Sequence, residues 1–431
     1  MRDINWVKEA CFYHIYPLGA FGCPRENKGD ETAGHRILNM IDWIPHLLDI
    51  GVNAVYFGPI WESGTHGYDT YDYYQLDRRL GNNEDFKIVV EACHDNGIKV
   101  VLDGVFNHIG RGHEAFVDVL KNRENSPYKE WIAGLNFGGN NWYNDGLCYD
   151  CWAGAQQLVK LNYSCENVNN YILKAVEMWI DEFDIDGLRL DAADCIQRDF
   201  FKRLKSFTES KKHDFWLMGE IIHGDYNIYV NEEMLDSVTN YECWKGIYSS
   251  HNDHNYFEIN YAMKRQWGQG GLYSGKYLYN FLDNHDVNRI ATLLKNKGSI
   301  FTAYTLLFTM PGIPSIYYGS EWGIEGDKNA GDGDYALRPE IDIKKMENSY
   351  PDLIEHIRVL TDLRKTLDPL KYGRYQEIQV KNETLVFARV VDDDYVIVAL
   401  NSMDKPMTLD FDYREQHFNV TLEPYGSKIW K

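Results

Sequence analysis

The chain has 431 residues, of which 44% are hydrophobic and 25% are charged, a composition that indicates a folded globular protein and excludes intrinsic disorder. Its 65 acidic residues outnumber its 44 basic residues and give a formal charge of −21. A surface this acidic repels phosphate groups and anionic lipids, so nucleic acids and membranes are poor partners and a neutral ligand is favoured.

The sequence shows no signal for export or membrane insertion. Residues 1–6 lack the basic start and apolar run of a secretory signal, and no apolar stretch approaches about 18 residues. We therefore expect a cytoplasmic protein with reduced cysteines. Cys148 and Cys151 form a Cys-x-x-Cys pair without a second pair of ligands, so no zinc site is predicted.

Up to about residue 370, short apolar runs alternate with amphipathic helical stretches. We predict eight strands, at residues 11–16, 53–58, 99–106, 186–190, 215–219, 235–239, 278–282 and 315–318. Apolar residues at helical spacing predict helices between them, clearest over 37–48, 172–183 and 353–360. Eight strand–helix units predict an α/β fold, the (β/α)8 TIM barrel, with its catalytic groups where strands end and loops begin.

Two segments depart from this alternation. Residues 110–160 are rich in Gly, Asn and aromatic residues, show little periodicity and are too long for an ordinary loop, so we predict an inserted subdomain that overhangs the active face. Strict alternation, as at Met407, Leu409 and Phe411, predicts a small antiparallel β-domain over 371–431. The catalytic barrel then comprises residues 1–109 and 161–370.

Four of the predicted strands end in polar clusters. These are Asp103-Gly-Val-Phe-Asn107-His108, Gly187-Leu-Arg189-Leu-Asp191, Gly219-Glu220-Ile-Ile-His223 and Asp283-Asn-His285-Asp286. Each cluster alone has a structural explanation, such as a turn cap or a simple ion pair. Four clusters at the same end of one barrel favour an active site instead. Paired carboxylates with a supporting Arg and His pair are the groups that glycosidic cleavage requires, whereas phosphate-loop, serine-hydrolase and zinc motifs are absent from the sequence.

The spacing of these residues predicts their electrostatics. Arg189 and Asp191 share one face of a strand, so the cation should favour the carboxylate form of Asp191. Apolar neighbours should partly desolvate Glu220 and favour its protonated, acid form. Strands four and five are neighbours, which would bring the two carboxyl groups near the separation of about 5–5.5 Å that is typical of retaining glycosidases.

The four clusters, in this order and at this spacing, resemble the signature regions of the α-amylase family of glycoside hydrolases, and the resemblance covers essentially the whole chain. It implies that Asp191 is the nucleophile, Glu220 the general acid/base and Asp286 the transition-state stabiliser. The residues it implies in substrate binding are Tyr68, His108, Arg189, His223 and His285.

The resemblance implies no required cofactor, and no metal ligand set is predicted. A structural calcium ion at Asn107 is left open, because acidic partners for it are not evident. Asn27, Asp30 and Glu31 are interpreted as a solvated turn.

Within the family, Leu158-Val-Lys160-Leu-Asn162 and the Glu220 cluster are similar to signatures of cyclomaltodextrinases, neopullulanases and maltogenic amylases. Their N-terminal domain is expected to be missing, because the first strand begins near residue 11. The implied activity is retaining hydrolysis of α-1,4-glucosidic bonds in maltooligosaccharides or cyclodextrins. Alternatives on the same site are a 4-α-glucan transglycosylase and an α-1,6-acting glucosidase. A catalytically silent carbohydrate-binding barrel is the alternative of another class.

The expected substrate size and oligomeric state follow from the inserted segment. Without a neighbouring domain as a wall, the insertion is the segment long enough to cover the active face. We therefore expect a monomer that acts on short, soluble, neutral α-gluco-oligosaccharides.

Overall fold

The structure is a computed structural model that describes residues 4–29, 34–346 and 351–431. Its centre is an eight-stranded parallel sheet. The strands are β1 (Phe12–Ile15), β2 (Ala54–Phe57), β3 (Lys99–Gly104), β4 (Gly187–Leu190), β5 (Trp216–Gly219), β6 (Ser237–Val238), β7 (Tyr279–Phe281) and β8 (Ile313–Tyr317). Their order is β6-β5-β4-β3-β2-β1-β8-β7, and a bridge between Thr239 and Tyr279 joins the two ends. The predicted barrel is confirmed.

Helices surround the barrel. They span Met40–Asp49, Asn83–Asp95, Glu166–Phe183, Arg198–Lys211, Tyr241–Asn252, Phe257–Trp267, Ser299–Thr309 and Pro351–Thr366. The helices Glu166–Phe183 and Pro351–Thr366 bury the apolar faces that their spacing predicted. For example, Trp179 is fully buried and stacks on Trp61 with ring centroids 4.6 Å apart. In Met40–Asp49 the prediction was wrong in part, because Ile41 is exposed and Trp43 and Leu47 are buried instead. Among the described residues, no helix is long and apolar enough to cross a membrane.

The barrel interior is filled by large side chains. Phe12 of β1 packs against Trp216 of β5 with ring centroids 5.2 Å apart, and Tyr56, Val101 and Met218 join the same buried cluster. A parallel barrel covered by helices buries both faces of its strands, which explains their nearly continuous apolar runs. Polar side chains are therefore concentrated at the carboxyl ends of the strands, which form the mouth of the barrel.

Antiparallel sheets accompany the barrel in three places. After β2, the strands Trp61–Ser63 and Thr70–Leu76 pair with each other. After β3, the strands His108–Gly110, Ala155–Lys160 and Cys151–Trp152 form a small sheet. The C-terminal β-domain contains β9 (Arg374–Val380), β10 (Thr384–Val391), β11 (Asp394–Asn401), β12 (Met407–Tyr413), β13 (Gln416–Leu422) and β14 (Ser427–Trp430). The predicted fold class is confirmed. The domain boundaries at residues 110, 161 and 371 stay a prediction.

Candidate active site

Arg189 joins three carboxylates at the mouth of the barrel. This residue lies on β4 and is 2% exposed. Its Nη1 atom donates to Asp103 Oδ1 and to Asp191 Oδ1, both at 2.9 Å, and its Nη2 atom lies 2.9 Å from Glu220 Oε2. Charge-assisted bonds of this kind fix geometry strongly. One buried cation therefore holds together side chains that follow or end three adjacent strands, β3, β4 and β5.

The backbone after β4 makes a sharp turn that serves Glu220. Asp191 lies two residues beyond Arg189 and faces the same guanidinium, as the spacing predicted. The next residue, Ala192, has φ of +43°, in the left-handed region that a non-glycine residue adopts only at a cost. Its amide donates to Glu220 Oε2 at 3.1 Å. The strained turn thus gives Glu220 a second fixed hydrogen bond.

Burial changes the proton affinity of the nucleophile candidate. Burial raises the pKa of Asp191 well above its ordinary value, Arg189 opposes this, and the charge of Glu220 adds to it. Contrary to the expectation drawn from spacing, Arg189 alone does not keep Asp191 ionised, because this cation is shared with Asp103 and Glu220. Burial of this cluster therefore favours the protonated form of Asp191.

Asp286 occupies a different electrostatic environment beyond β7. His285 Nε2 lies 2.8 Å from Asp286 Oδ2, and Arg338 Nη2 donates to Asp286 Oδ1 at 3.1 Å. Burial acts to raise the pKa of Asp286, but His285 and Arg338 outweigh it and hold the pKa below its ordinary value. The Asp286 side chain is 39% exposed at the mouth. Asp286 therefore presents an ionised carboxylate at the barrel mouth.

Tyr68 links these two groups of residues. Its hydroxyl lies 3.1 Å from Asp103 Oδ2 and 2.5 Å from His285 Nε2, and its ring stacks on that of His285. His108 holds the Tyr68 backbone by donating from Nε2 to the Tyr68 carbonyl at 3.0 Å. Burial lowers the pKa of His108 to about 4, so its ring is neutral. The side-chain nitrogen of Asn107 lies 3.2 Å from the other ring nitrogen, Nδ1, so both ring nitrogens of His108 have protein partners. The predicted contact of His108 with a sugar stays a prediction.

The structure does not bring His223 into this cluster. It lies exposed on the loop after β5, and no hydrogen bond or ion pair among the described residues joins it to the carboxylates. Its role in substrate binding stays a prediction. The other seven sequence-predicted residues form one connected network, in which Asp103 links Tyr68 to Arg189. They are Tyr68, His108, Arg189, Asp191, Glu220, His285 and Asp286.

Sequence reasoning missed two residues that contact the carboxylates. The hydroxyl of Tyr241 donates to Glu220 Oε1 at 3.2 Å and accepts from Asn284 Nδ2 at 3.0 Å. Arg338 contacts Asp286 and also donates from Nε to the His285 carbonyl at 3.1 Å. Tyr241 lies two residues after the sixth predicted strand, and this position at a strand end could have identified it as a site residue. Arg338 lies in a loop without periodicity, so no sequence pattern pointed to it.

A structural calcium ion at Asn107 stays an expectation from the sequence. Calcium takes six to eight oxygen ligands. Asn107 Oδ1 is buried without a hydrogen-bond partner, and no group of three or more His, Cys, Asp or Glu side chains assembles in the described part of the chain. Asn27 donates to Glu62 and to the Ser63 carbonyl, whereas Asp30 and Glu31 lie outside the described residues. No step below depends on a metal.

A TIM barrel with three acidic side chains, a buried arginine and a histidine converging on its mouth defines a glycoside hydrolase of the paired-carboxylate type. The family model for the alpha amylase catalytic domain matches residues 32–369. The chain belongs to the α-amylase family, whose members are glycoside hydrolases that act on α-glucans.

Relatives support this assignment. A cyclomaltodextrinase of a Bacillus species is 32% identical over 419 residues, which cover 92% of this chain and 73% of the relative. The cyclic alpha-maltosyl-(1→6)-maltose hydrolase of Arthrobacter globiformis superimposes with a TM-score of 0.85 at 26% identity, covering 99% of each chain. The debranching enzyme of Nostoc punctiforme has a TM-score of 0.83 at 28% identity, covering 99% of this chain and 98% of that one.

Proposed function

We propose that this enzyme hydrolyses α-1,4-glucosidic bonds in maltooligosaccharides or cyclodextrins by double displacement, with retention of configuration. The observation that carries the proposal is the bonding of Asp191 and Glu220 to the two terminal nitrogens of Arg189. Two carboxyl groups within the span of one guanidinium match the short separation of retaining enzymes, which leaves no room for an intervening water. The similarity to a cyclomaltodextrinase supports the substrate class.

In the first step, Asp191 attacks the anomeric carbon while Glu220 gives its proton to the departing glycosidic oxygen. The step uses the carboxylate form of Asp191, which Arg189 favours by donating to Asp191 Oδ1 at 2.9 Å. Positive charge develops on the sugar ring in the transition state. The ionised Asp286 faces the mouth and stabilises that charge.

In the second step, Glu220 removes a proton from water, and the resulting hydroxide displaces Asp191 from the anomeric carbon. The amide of Ala192 and Nη2 of Arg189 bind Oε2 of Glu220, so Oε1 is the oxygen free to exchange the proton. Tyr241 contacts that same Oε1 atom and keeps it oriented.

Two alternatives use the same covalent intermediate. A sugar hydroxyl in place of water gives a 4-α-glucan transglycosylase. Activity on α-1,6 bonds is favoured by the similarity to a cyclic alpha-maltosyl-(1→6)-maltose hydrolase and to a debranching enzyme. Chromatography of the products from maltotriose, panose and β-cyclodextrin separates these activities, because shorter products indicate hydrolysis, longer products indicate transfer and cleavage of panose to maltose indicates action on the α-1,6 bond. A silent barrel is not supported, because the chain belongs to a family of enzymes and all three carboxylates are present.

The reaction should first release the α-anomer of the reducing sugar. Double displacement inverts the anomeric carbon twice, so the configuration of the substrate is kept. Proton NMR of maltotriose hydrolysis during the first minutes measures the anomer before mutarotation. Initial appearance of the β-anomer would exclude the retaining mechanism and the nucleophile role of Asp191.

We further propose that the inserted segment restricts access to the mouth. Trp152 lies on its sheet, is 40% exposed and has its ring 6.2 Å from that of His108. Trp142 and Tyr143 are also exposed, whereas Tyr149 is buried and packs against Phe116. The exposed aromatic rings on this segment offer apolar surfaces on which sugar rings can pack.

Short oligosaccharides should therefore be much better substrates than starch. We expect kcat/KM on maltotriose to exceed that on soluble starch, per chain, by at least about tenfold. Initial-rate measurements on both substrates test this, with light scattering of the same sample to test the expected monomer. A rapid fall in starch viscosity would contradict restricted access, and a stable dimer would contradict the monomer.

The eight cysteines form no disulfide, which supports a proposed cytoplasmic location.

A further inference from the structure

A cavity opens beside Asp286, on the side of the barrel mouth away from Glu220. It has a volume of about 470 Å³ and is lined in part by Tyr16, His66 and Arg338. Arg338 connects it to the catalytic centre, since its guanidinium contacts Asp286 and lies over the ring of Tyr16 at 4.7 Å. These lining residues follow β1, β2 and β8. In the closed strand order, β1 lies four positions from β5, which leads to Glu220.

The chemistry of the reaction identifies which part of the substrate this cavity receives. The acid protonates the departing oxygen, so the leaving group lies on the side of Glu220. The sugar attacked by Asp191 and the residues attached to its nonreducing end extend the other way. The cavity therefore receives the glycone side of the chain. This step rests on the proposed function.

An ion pair joins two segments that line the cavity. Arg25 Nη1 and Nη2 donate to Asp332 Oδ1 and Oδ2, each at 2.7 Å. The Arg25 guanidinium also lies over the ring of Tyr335 at 4.0 Å. Arg25, Asp332 and Tyr335 all line the cavity. Two segments that are far apart in sequence thus meet through a planar, two-pronged contact.

The segment that carries Arg25 has a rigid base. Arg79 is fully buried, and its Nη1 donates to the carbonyls of Pro24, Arg25 and Thr65 at 3.0, 3.3 and 2.6 Å. Asp77 pairs with Arg79 at 2.7 Å and satisfies its charge. The hydrogen bonds from buried Arg79 therefore fix the backbone around Arg25.

The segment that carries Asp332 is anchored in a similar way. Arg289 is fully buried and donates to the Leu337 carbonyl at 2.8 Å, and the Tyr318 hydroxyl donates to the Pro339 carbonyl at 2.9 Å. Asn288 donates to Asp327 at 2.8 Å at the start of the segment. Hydrogen bonds to buried residues therefore anchor both segments that carry the ion pair.

We propose that the Arg25–Asp332 pair ends the glycone side of the active site and so determines the length of the oligosaccharide released from the nonreducing end. The two side chains are 56% and 54% exposed, and exposed pairs contribute little to stability. Their function is instead steric and geometric, because the pair stands where the next sugar residue of a longer chain would pass. The enzyme then acts on linear chains from the nonreducing end, in steps of a fixed short length. Of the two proposed substrate classes, this barrier favours maltooligosaccharides over cyclodextrins, which have no chain end.

Maltoheptaose labelled at its reducing end with 2-aminopyridine tests this proposal. The wild-type enzyme should release one dominant unlabelled product throughout the early reaction. Arg25→Ala and Asp332→Ala should each raise the fraction of longer unlabelled products by at least about threefold and raise the rate on soluble starch, because the end of the cavity is open. The exchanged pair Arg25→Asp/Asp332→Arg should restore the wild-type product length.

A second exposed ion pair provides the matched control. Arg203 Nη1 and Nη2 bond to Glu166 at 2.7 and 2.8 Å, between two outer helices. Arg203→Ala should leave the product pattern unchanged. If the wild-type enzyme cleaves maltoheptaose and Arg25→Ala gives the same product lengths, the proposed barrier is wrong while the hydrolase function stands. If the wild-type enzyme cleaves none of the oligosaccharides, both proposals are wrong.

Discussion

Replacing Asp191 by Asn should lower kcat on maltotriose by about ten-thousandfold or more, because the amide keeps the volume of the side chain but removes the nucleophile. The fold should be retained. The folded protein holds the pKa of Asp191 above its unfolded value, so this carboxyl lowers stability as pH rises from the unfolded value through the folded one. At neutral pH the variant should therefore melt no lower than the wild type.

Asp194→Asn is the matched control for this variant. Asp194 lies three residues further along and is exposed, so its replacement should leave both kcat and the melting temperature near the wild-type values. A rate for Asp191→Asn above about a tenth of wild type, with contamination excluded, would show that Asp191 is not the nucleophile.

Replacing Glu220 by Gln should lower kcat on maltotriose by about a thousandfold, because the leaving oxygen loses its proton donor and water loses its base. α-Maltosyl fluoride distinguishes this role from that of the nucleophile, because fluoride departs with little need for protonation. The variant should release about one equivalent of fluoride per enzyme in a rapid burst, and azide should then accelerate turnover because it attacks without a base. A fluoride-selective electrode measures both phases.

Two comparisons complete this experiment. Glu182→Gln, at an exposed position on the outer helix Glu166–Phe183, should behave like the wild type on both substrates. Asp191→Asn should give no burst, since no covalent intermediate forms. A Glu220→Gln variant that is equally slow on maltotriose and on α-maltosyl fluoride would contradict the acid role.

Much of the fold could be predicted because the barrel strands are buried on both faces and read as apolar runs. Each strand differs from its predicted range at one end or both, and the difference reaches two residues in β3, β6 and β8. β8 begins at Ile313, earlier than residue 315, because Pro314 usually marks a strand limit but here lies within the strand. β6 contains only Ser237 and Val238, since its neighbours in the predicted run 235–239 leave the regular ladder.

The catalytic cluster could be predicted because each of its carboxylates follows an apolar run within a few residues. The supporting residues could not. Arg338 and Asp332 lie in an irregular segment after β8, and Arg25 lies in another after β1, so only the folded chain brings them to Asp286 and to each other. The shift in proton affinity at Asp191 also depends on Asp103 and Glu220 sharing one cation, which sequence spacing does not show.

The junction between β6 and β7 gives the barrel an uneven resistance to local opening. The amide of Asn240 donates to the Tyr279 carbonyl at 2.9 Å and its side chain to Asn280 at 2.9 Å, in place of the longer ladders that join the other strands. Amide hydrogens at such a junction exchange with solvent through smaller fluctuations than those in the remaining strands. Tyr241 contacts Oε1 of Glu220, and Asn284 donates to the Tyr241 hydroxyl; these two residues flank the junction on opposite sides. Thermal motion that separates β6 from β7 would therefore first break the contact between Tyr241 and Asn284, which orients Glu220. We expect activity to be lost on heating before the protein unfolds globally.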